Sequence, residues 1–211
     1  MNAADRSVVW EHGQRPQPNQ SAMKTITSLM LSAVLFAGLV SCGNKKTETE
    51  DSKEVAEEQN DKKFDESKTE GDTEFAVEAA DGGMFEVQLG QLAQANASSP
   101  AVKEFAKMMV DDHSKANDEL KAAAAQKNIS LPGTLSDKRQ KKYDDLAGKT
   151  GKDFDKAYMD LMVSDHEDDI SAFKKEAEDG NDADLKAWAA GKVPTLQHHL
   201  DAAKTAKDAV K

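Results

Sequence analysis

The sequence predicts an all-α fold: an antiparallel four-helix bundle with a short extra helix between the second and third long helices. Three observations lead there. Over residues 73–211 the chain is rich in Ala, Leu, Lys, Asp and Glu, and its apolar residues recur at about 3.6 residues instead of alternating. Four long stretches of this kind are bounded by helix start and stop signals. The connections are short, which makes successive helices antiparallel neighbours. The one strand-like piece, "NISLPGTL" at 128–135, is broken by Pro132 and Gly133 and reads as a loop.

The first long helix spans roughly 73–96, with Phe75, Ala79, Gly82, Glu86, Leu89 and Ala93 on one face. Gly82 and Gly83 weaken helix propensity and are expected to permit close helix approach. In "SSP", Ser99 can cap the second helix and Pro100 can take its first position. That helix spans roughly 100–127, with a stripe of Val102, Phe105, Ala106, Met109, His113, Ala116, Leu120 and Ala124. A short polar helix comes next, near 136–147, from Ser136 to the stop at Gly148. Its run "DKRQKKYDD" reads as a mixed-charge surface. "TGKD" at 150–153 resembles a capping box for the third helix, 152–179, which turns Phe154, Tyr158, Leu161, Met162 and Phe173 inward. The fourth helix, 182–209, carries Leu185, Trp188, Ala189, Leu196, His199, Ala203 and Val210 on one face. Pro194 should kink it or begin a second segment.

The residues before the bundle read differently. From Met23, one positive charge at Lys24 precedes an apolar run, Ile26 to Val40, with the length and flanks of a secretory signal. The run ends in "LVSC", like a bacterial lipobox, so Cys42 is the expected lipidation site and the new N-terminus. It is the only cysteine, which excludes an internal disulfide. Residues 1–22 are polar and aperiodic, and are read as an extension upstream of the true start at Met23. Residues 42–72 form an acidic tether, expected to be disordered because so few apolar residues cannot offset the entropy of ordering. Transient helix near Glu54 to Gln59 is compatible with this.

The net charge is −11. Removing the three basic and two acidic residues before Cys42 makes it one unit more negative. An acidic surface argues against nucleic acid as a partner and against charge-driven binding to anionic lipid. Membrane attachment would come from acyl chains on Cys42. The implied location is the bacterial cell envelope, on the outer membrane or the periplasmic face.

Chemistry concentrates in two near-repeats, "MVDDH" at Met109–His113 and "MVSDH" at Met162–His166. His113 falls on the apolar stripe of its helix, with Asp112 about 100° to the side. On the third helix Asp165 and Asp169 point inward and His166 lies nearer the edge. Neighbouring Asp and His cannot both face one direction on a helix. Glu86 and His199 fall within the stripes of the first and fourth helices, while His198 points away. Each long helix thus sends an ionisable group inward near mid-height, and a buried charge demands a partner or a metal. Two solutions stand: a buried hydrogen-bond network that sets helix register, or a metal site of Glu86, His113, Asp165, His166 and His199. Met109, Asp112, Met162 and Asp169 are secondary candidates. Iron, manganese, zinc and copper all suit such donors, copper through the Met–His pairs at i, i+4. No Glu-x-x-His occurs, so a carboxylate-bridged pair of metals is short of ligands. No cysteine nucleophile lies in the domain, no phosphate loop follows a strand, and "DHEDD" lacks the Gly-centred turn of a calcium loop.

"FAVEAADGGMFEVQLGQLA", "VKEFAKMMVDDHSKANDEL", "FDKAYMDLMVSDHEDDISAFKKEA" and "LKAWAAGKVPTLQHHL" resemble, in order, the helices of the bacterial domain of unknown function 4142. The marks are the repeated Met-Val-x-Asp-His, the Gly-Gly-x-x-Glu of the first helix and the Pro-Thr-Leu-x-x-His-Leu of the fourth. The resemblance covers about 73–205 and implies a ferritin-like bundle, exported to the envelope, with no enzyme activity attached. The expectation is an envelope lipoprotein carrying a non-catalytic binding or stress-related module that takes a metal or small ligand. The alternatives are a metal-dependent oxidoreductase or metal-storage protein, and a purely structural module.

Overall fold

The computed structural model describes residues 50–64 and 67–211. The extension at 1–22, the signal-like segment and Cys42 lie outside the described residues. Among the described residues six helices form: α1 (Ser52–Phe64), α2 (Glu70–Asn96), α3 (Pro100–Gln126), α4 (Asp137–Ala147), α5 (Gly151–Asp179) and α6 (Ala183–Asp208). Among the described residues there is no strand, and no helix long and apolar enough to cross a membrane. The four long helices form two hairpins, α2 with α3 and α5 with α6. The hairpins join through α2 on α5 and α3 on α6, and α4 lies across α2 and α5. This is the helical bundle predicted from periodicity and short connections.

The core is divided. Phe85, Leu89, Met109, Phe154, Tyr158 and Met162 pack near one end. Ala76, Leu120 and Leu185 form a second cluster, and Ile170, Phe173, Leu196 and Leu200 a third. Along each long helix the inward ionisable group falls where these clusters meet: Glu86 on α2, His113 on α3, His166 on α5 and His199 on α6. The polar layer is therefore enclosed by hydrocarbon above and below.

Three buried aspartates tie the helix ends. Asp155 on α5 accepts the N–H groups of Ser98 and Ser99 (3.0 and 2.9 Å) and the hydroxyl of Ser98. It supplies the acceptors for the start of α3, where Ser99 makes no side-chain capping bond of its own. Asp72 on α2 accepts from the N–H groups of Asn181 and Asp182 before α6. Asp81 accepts from the N–H and hydroxyl of Ser136 before α4. Each meets donors that helix starts leave unpaired, from a distant point in the chain.

Several expectations need correction. Composition extends the disordered tether through residue 72, but α1 lies within that stretch and α2 begins at Glu70. A small apolar contact, with Ala56 buried and Phe64 against the Ala76, Leu120 and Leu185 cluster, is joined by polar bonds in holding α1. The Asn60 amide donates to the Ser130 carbonyl (2.9 Å) and accepts from the Ser130 N–H (2.7 Å), and Ser52 Oγ accepts the Gly133 N–H (2.9 Å). A low apolar content therefore does not signal disorder here. Thr150 makes no side-chain capping bond, so "TGKD" is not a working capping box. Gly82 and Gly83 admit side chains, not a helix backbone. A Cβ at Gly82 would stand 3.2 Å from the Arg139 guanidinium, and one at Gly83 would stand 2.0 Å from Asn117 Oδ1. Close approach occurs at Gly90 instead, where a Cβ would lie 2.9 Å from the Ala106 carbonyl oxygen of α3. α6 runs through Pro194 as one helix. Ala190 and Pro194 are both exposed, so the carbonyl deprived of its bond faces water.

Candidate metal centre

The centre is assembled from four helices. Glu86 comes from α2, His113 from α3, His166 from α5 and His199 from α6, and all four are buried. Each imidazole has one ring nitrogen tied to an oxygen that can only accept. His113 Nδ1–H meets Glu86 Oε2 at 2.8 Å. His166 Nδ1–H donates to the Met162 carbonyl, one turn back on α5, at 2.9 Å. His199 Nε2–H donates to Asp112 Oδ2 at 3.1 Å. These bonds set ring orientation and leave His113 Nε2, His166 Nε2 and His199 Nδ1 as the free nitrogens. A ring nitrogen from each of the three lies within 4.8 Å of the others.

Two of the free nitrogens, His113 Nε2 and His199 Nδ1, stand 3.3 Å apart. One proton fits between them, and the electrostatics assign it to His113. Burial alone would lower the pKa of His113, but the Glu86 carboxylate outweighs burial and holds it above the usual value. Burial pushes His199 down to about 4, so it stays neutral. Burial opposes ionisation of Glu86, yet the charge and hydrogen bond of His113 hold its carboxyl below the ordinary value. The four side chains form one chain of contacts, Glu86–His113–His199–Asp112, with the proton between the two imidazoles favoured on His113.

His166 is the member this chain leaves out. Burial lowers its pKa. With Nδ1–H given to a carbonyl, Nε2 carries a bare lone pair. It faces Glu86 Oε1 at 3.5 Å, and neither atom has a hydrogen-bond partner. Two buried acceptors aimed at each other are unfavourable without a cation or donor between them.

A second cluster lies beside the first. Carboxylate oxygens of Glu86, Asp165 and Asp169 also come within 4.8 Å of one another. Burial raises Asp165 to about 6 and holds Asp169 well above the ordinary range. This cluster already has a cation. Arg139, on α4, reaches in with Nη1 3.5 Å from Asp165 Oδ1, Nε 3.2 Å from Asp81 and Nη2 2.9 Å from Glu78. The imidazole cluster has no such resident charge beyond its shared proton.

The expected site residues thus separate into groups. Glu86, His113, His166 and His199 converge. Asp165 is adjacent but faces Arg139, and Asp169 joins it. Asp112 supports His199 from the half-exposed flank of α3. The Met109 and Met162 side chains pack in the apolar cluster, and what Met162 offers the centre is its carbonyl. His198 is exposed, as its phase predicted. The reading that Asp165 and His166 could not both be inward is wrong: they are 7 % and 0 % exposed. α5 is covered by α2 and α6 on one side and α4 on another, so its buried arc exceeds the roughly 100° between neighbouring residues. Arg139 escapes the sequence reading because its run has the mixed charge of a surface. A signal does exist: Arg139, Tyr143 and Leu146 share a face at i, i+4, i+7, the side α4 lays on the bundle.

A cavity of about 140 Å³ reaches this centre between α2, α3, α5 and α6, with Glu86, Asp112, His113 and His199 on its polar side.

The model of the family described as Domain of unknown function (DUF4142) matches residues 55–206. The chain belongs to the DUF4142 family. The match begins inside α1, so the family's extent includes the helix that composition assigns to the tether. No curated protein and no solved structure matches the chain.

Proposed function

We propose that this DUF4142 domain is a metal-binding module that holds one transition-metal ion at His113, His166 and His199, with Glu86 as the available oxygen donor. One observation carries the reading: three imidazoles from three helices, each with its outer nitrogen anchored to a carboxylate or carbonyl, turn their remaining nitrogens together. This is the supporting arrangement typical of metal-bound histidines. The 3.3 Å between His113 Nε2 and His199 Nδ1 is close to the spacing of two neighbouring ligands at about 2.0–2.1 Å on one ion. Three imidazoles and a carboxylate suit zinc, iron, manganese or copper. The ion would take the place of the proton shared by His113 and His199, so binding releases a proton and weakens as pH falls. It would also resolve the facing acceptors of His166 and Glu86.

The test is elemental analysis of untagged protein, with thermal shifts on adding Zn, Fe, Mn and Cu salts. One equivalent of metal and a rise in melting temperature are expected, both lost in His166→Ala. A metal-free parent with no shift for any of the four ions would sink the reading and leave the buried hydrogen-bond network as the function of the layer. The cavity favours an accessible ion over a purely structural one, which keeps a metal-dependent oxidoreductase as the second reading.

The signal-like segment and the "LVSC" motif support export and anchoring through a lipidated Cys42. Cys42→Ala should move the protein from the membrane fraction to the soluble fraction; unchanged membrane association would refute lipidation.

A further inference from the structure

We infer that the cavity beside His199 is a binding site for a short-chain carboxylate, its head on the ion and its body on the aromatic wall opposite. This rests on the metal reading above. The cavity's about 140 Å³ is close to the size that accepts a molecule of about six heavy atoms. Its two sides differ in chemistry. One presents Glu86, His113 and His199, the centre itself. The other presents Phe173, Trp188 and Leu196, with the two rings packed at 5.4 Å between centroids. A ligand with one donor end and a short apolar body fits both.

The protein's donors leave room on the ion. Three imidazole nitrogens and at most one oxygen of Glu86 occupy four positions, since Glu86 Oε2 is committed to His113. A five- or six-coordinate ion keeps a place open, and the cavity lies on the side where His113, His199 and Glu86 are all exposed to it. Charge decides which ligand enters. Without metal, the carboxylates of Glu86 and Asp112 flank His113 at the polar end, Lys115 and Lys192 lie on the wall away from the imidazoles' free nitrogens, and an anion finds no coordination place there. With a divalent ion and neutral imidazoles, that end becomes favourable to one negative charge. The carboxylate should therefore bind only after the metal.

The experiment uses the full chain loaded with Co²⁺, with loading measured by elemental analysis before titration. Acetate, propionate and butyrate are titrated against the visible Co²⁺ bands, and against the metal-free protein by calorimetry. Saturable spectral changes are expected, with affinity rising about fourfold per methylene as the chain covers Phe173 and Trp188, and no heat is expected without metal. Ala116 and Ala79 line the cavity and lie outside the ligand set. Ala116→Leu and Ala79→Leu should each keep one Co²⁺ and weaken butyrate at least tenfold; two variants guard against one failing to fold. A cobalt-loaded protein whose bands do not move, affinity that is flat with chain length, or variants that bind like the parent would overturn the inference while the metal reading stands. Failure to load cobalt, zinc, iron, manganese or copper would overturn both.

Discussion

Replacing Arg139 with Met removes the guanidinium while keeping length and apolar volume, and it takes a partner from three acids at once. Glu78 is half-exposed, and its share is about 0–1 kcal/mol. Asp81 keeps the N–H and hydroxyl of Ser136 and loses one charged donor, about 1 kcal/mol. Asp165 is buried, its Oδ2 already has no partner, and Arg139 is the cation facing it. Leaving that carboxylate unpaired takes the total to about 3–5 kcal/mol at pH 7.5, a large part of the ~5–15 kcal/mol that holds a domain folded. The cost should depend on pH. Burial already raises Asp165 to about 6, so at pH 5 it is mostly neutral in the parent and has no charge to strand. The penalty should fall to about 1–2 kcal/mol there. Urea unfolding followed by helical circular dichroism, at pH 7.5 and pH 5, measures both values. A cost below about 1 kcal/mol at pH 7.5, or one that does not shrink at pH 5, would refute the view that Arg139 neutralises Asp165.

Two further predictions concern acid and base. The pKa of His199 lies near 4 when folded, below its ordinary value of about 6.5, so its contribution is complete above pH 6.5 and is lost as pH falls toward 4. His113 is raised and acts oppositely, its contribution being complete below about pH 6.5 and fading as pH rises. The metal-free protein should lose up to about 3 kcal/mol from His199 over that window; His199→Leu should flatten the loss, and an unchanged pH profile would count against the assignment. Glu176 is raised to about 7 by burial and by neighbouring Asp72, so its effect on stability turns unfavourable as pH rises from about 4.5 through 7. With solvent screening included, Glu176→Gln should stabilise by about 1–2 kcal/mol at pH 8 and much less at pH 5, read from melting temperatures; equal effects at both pH values would argue against it.

The legible parts of this protein share one property: they depend on spacing along a single helix. The stripes of α3 and α6 placed His113 and His199 inward and His198 outward, because phase within a helix is set directly by residue number. The same logic put Glu86 among apolar neighbours on α2. It failed for α5, where Asp165 and His166 are both buried. Phase tells which direction a residue points but not how many neighbours cover the helix, and α4 covers the flank on which Asp165 lies.

Other features had no local signature. Asp155, Asp72 and Asp81 cap helix starts that lie between 55 and 110 residues away in the chain, at Ser98, Asp182 and Ser136. α1 is mostly polar, and its docking leans on Asn60 paired with the backbone of Ser130, 70 residues on.

By itself the sequence determined the class of fold, the order and phase of the long helices, and the inward direction of three of the four residues at the centre. The energies involved are local or proportional to apolar area, so they can be read from periodicity. The tertiary structure alone decided how the charges combine. Arg139 went to the carboxylates of Asp165, Asp81 and Glu78, and His166 was left with a bare nitrogen facing Glu86. Electrostatic pairing depends on distances of a few ångströms between residues far apart in the chain, and those distances exist only once α2, α4 and α5 have packed.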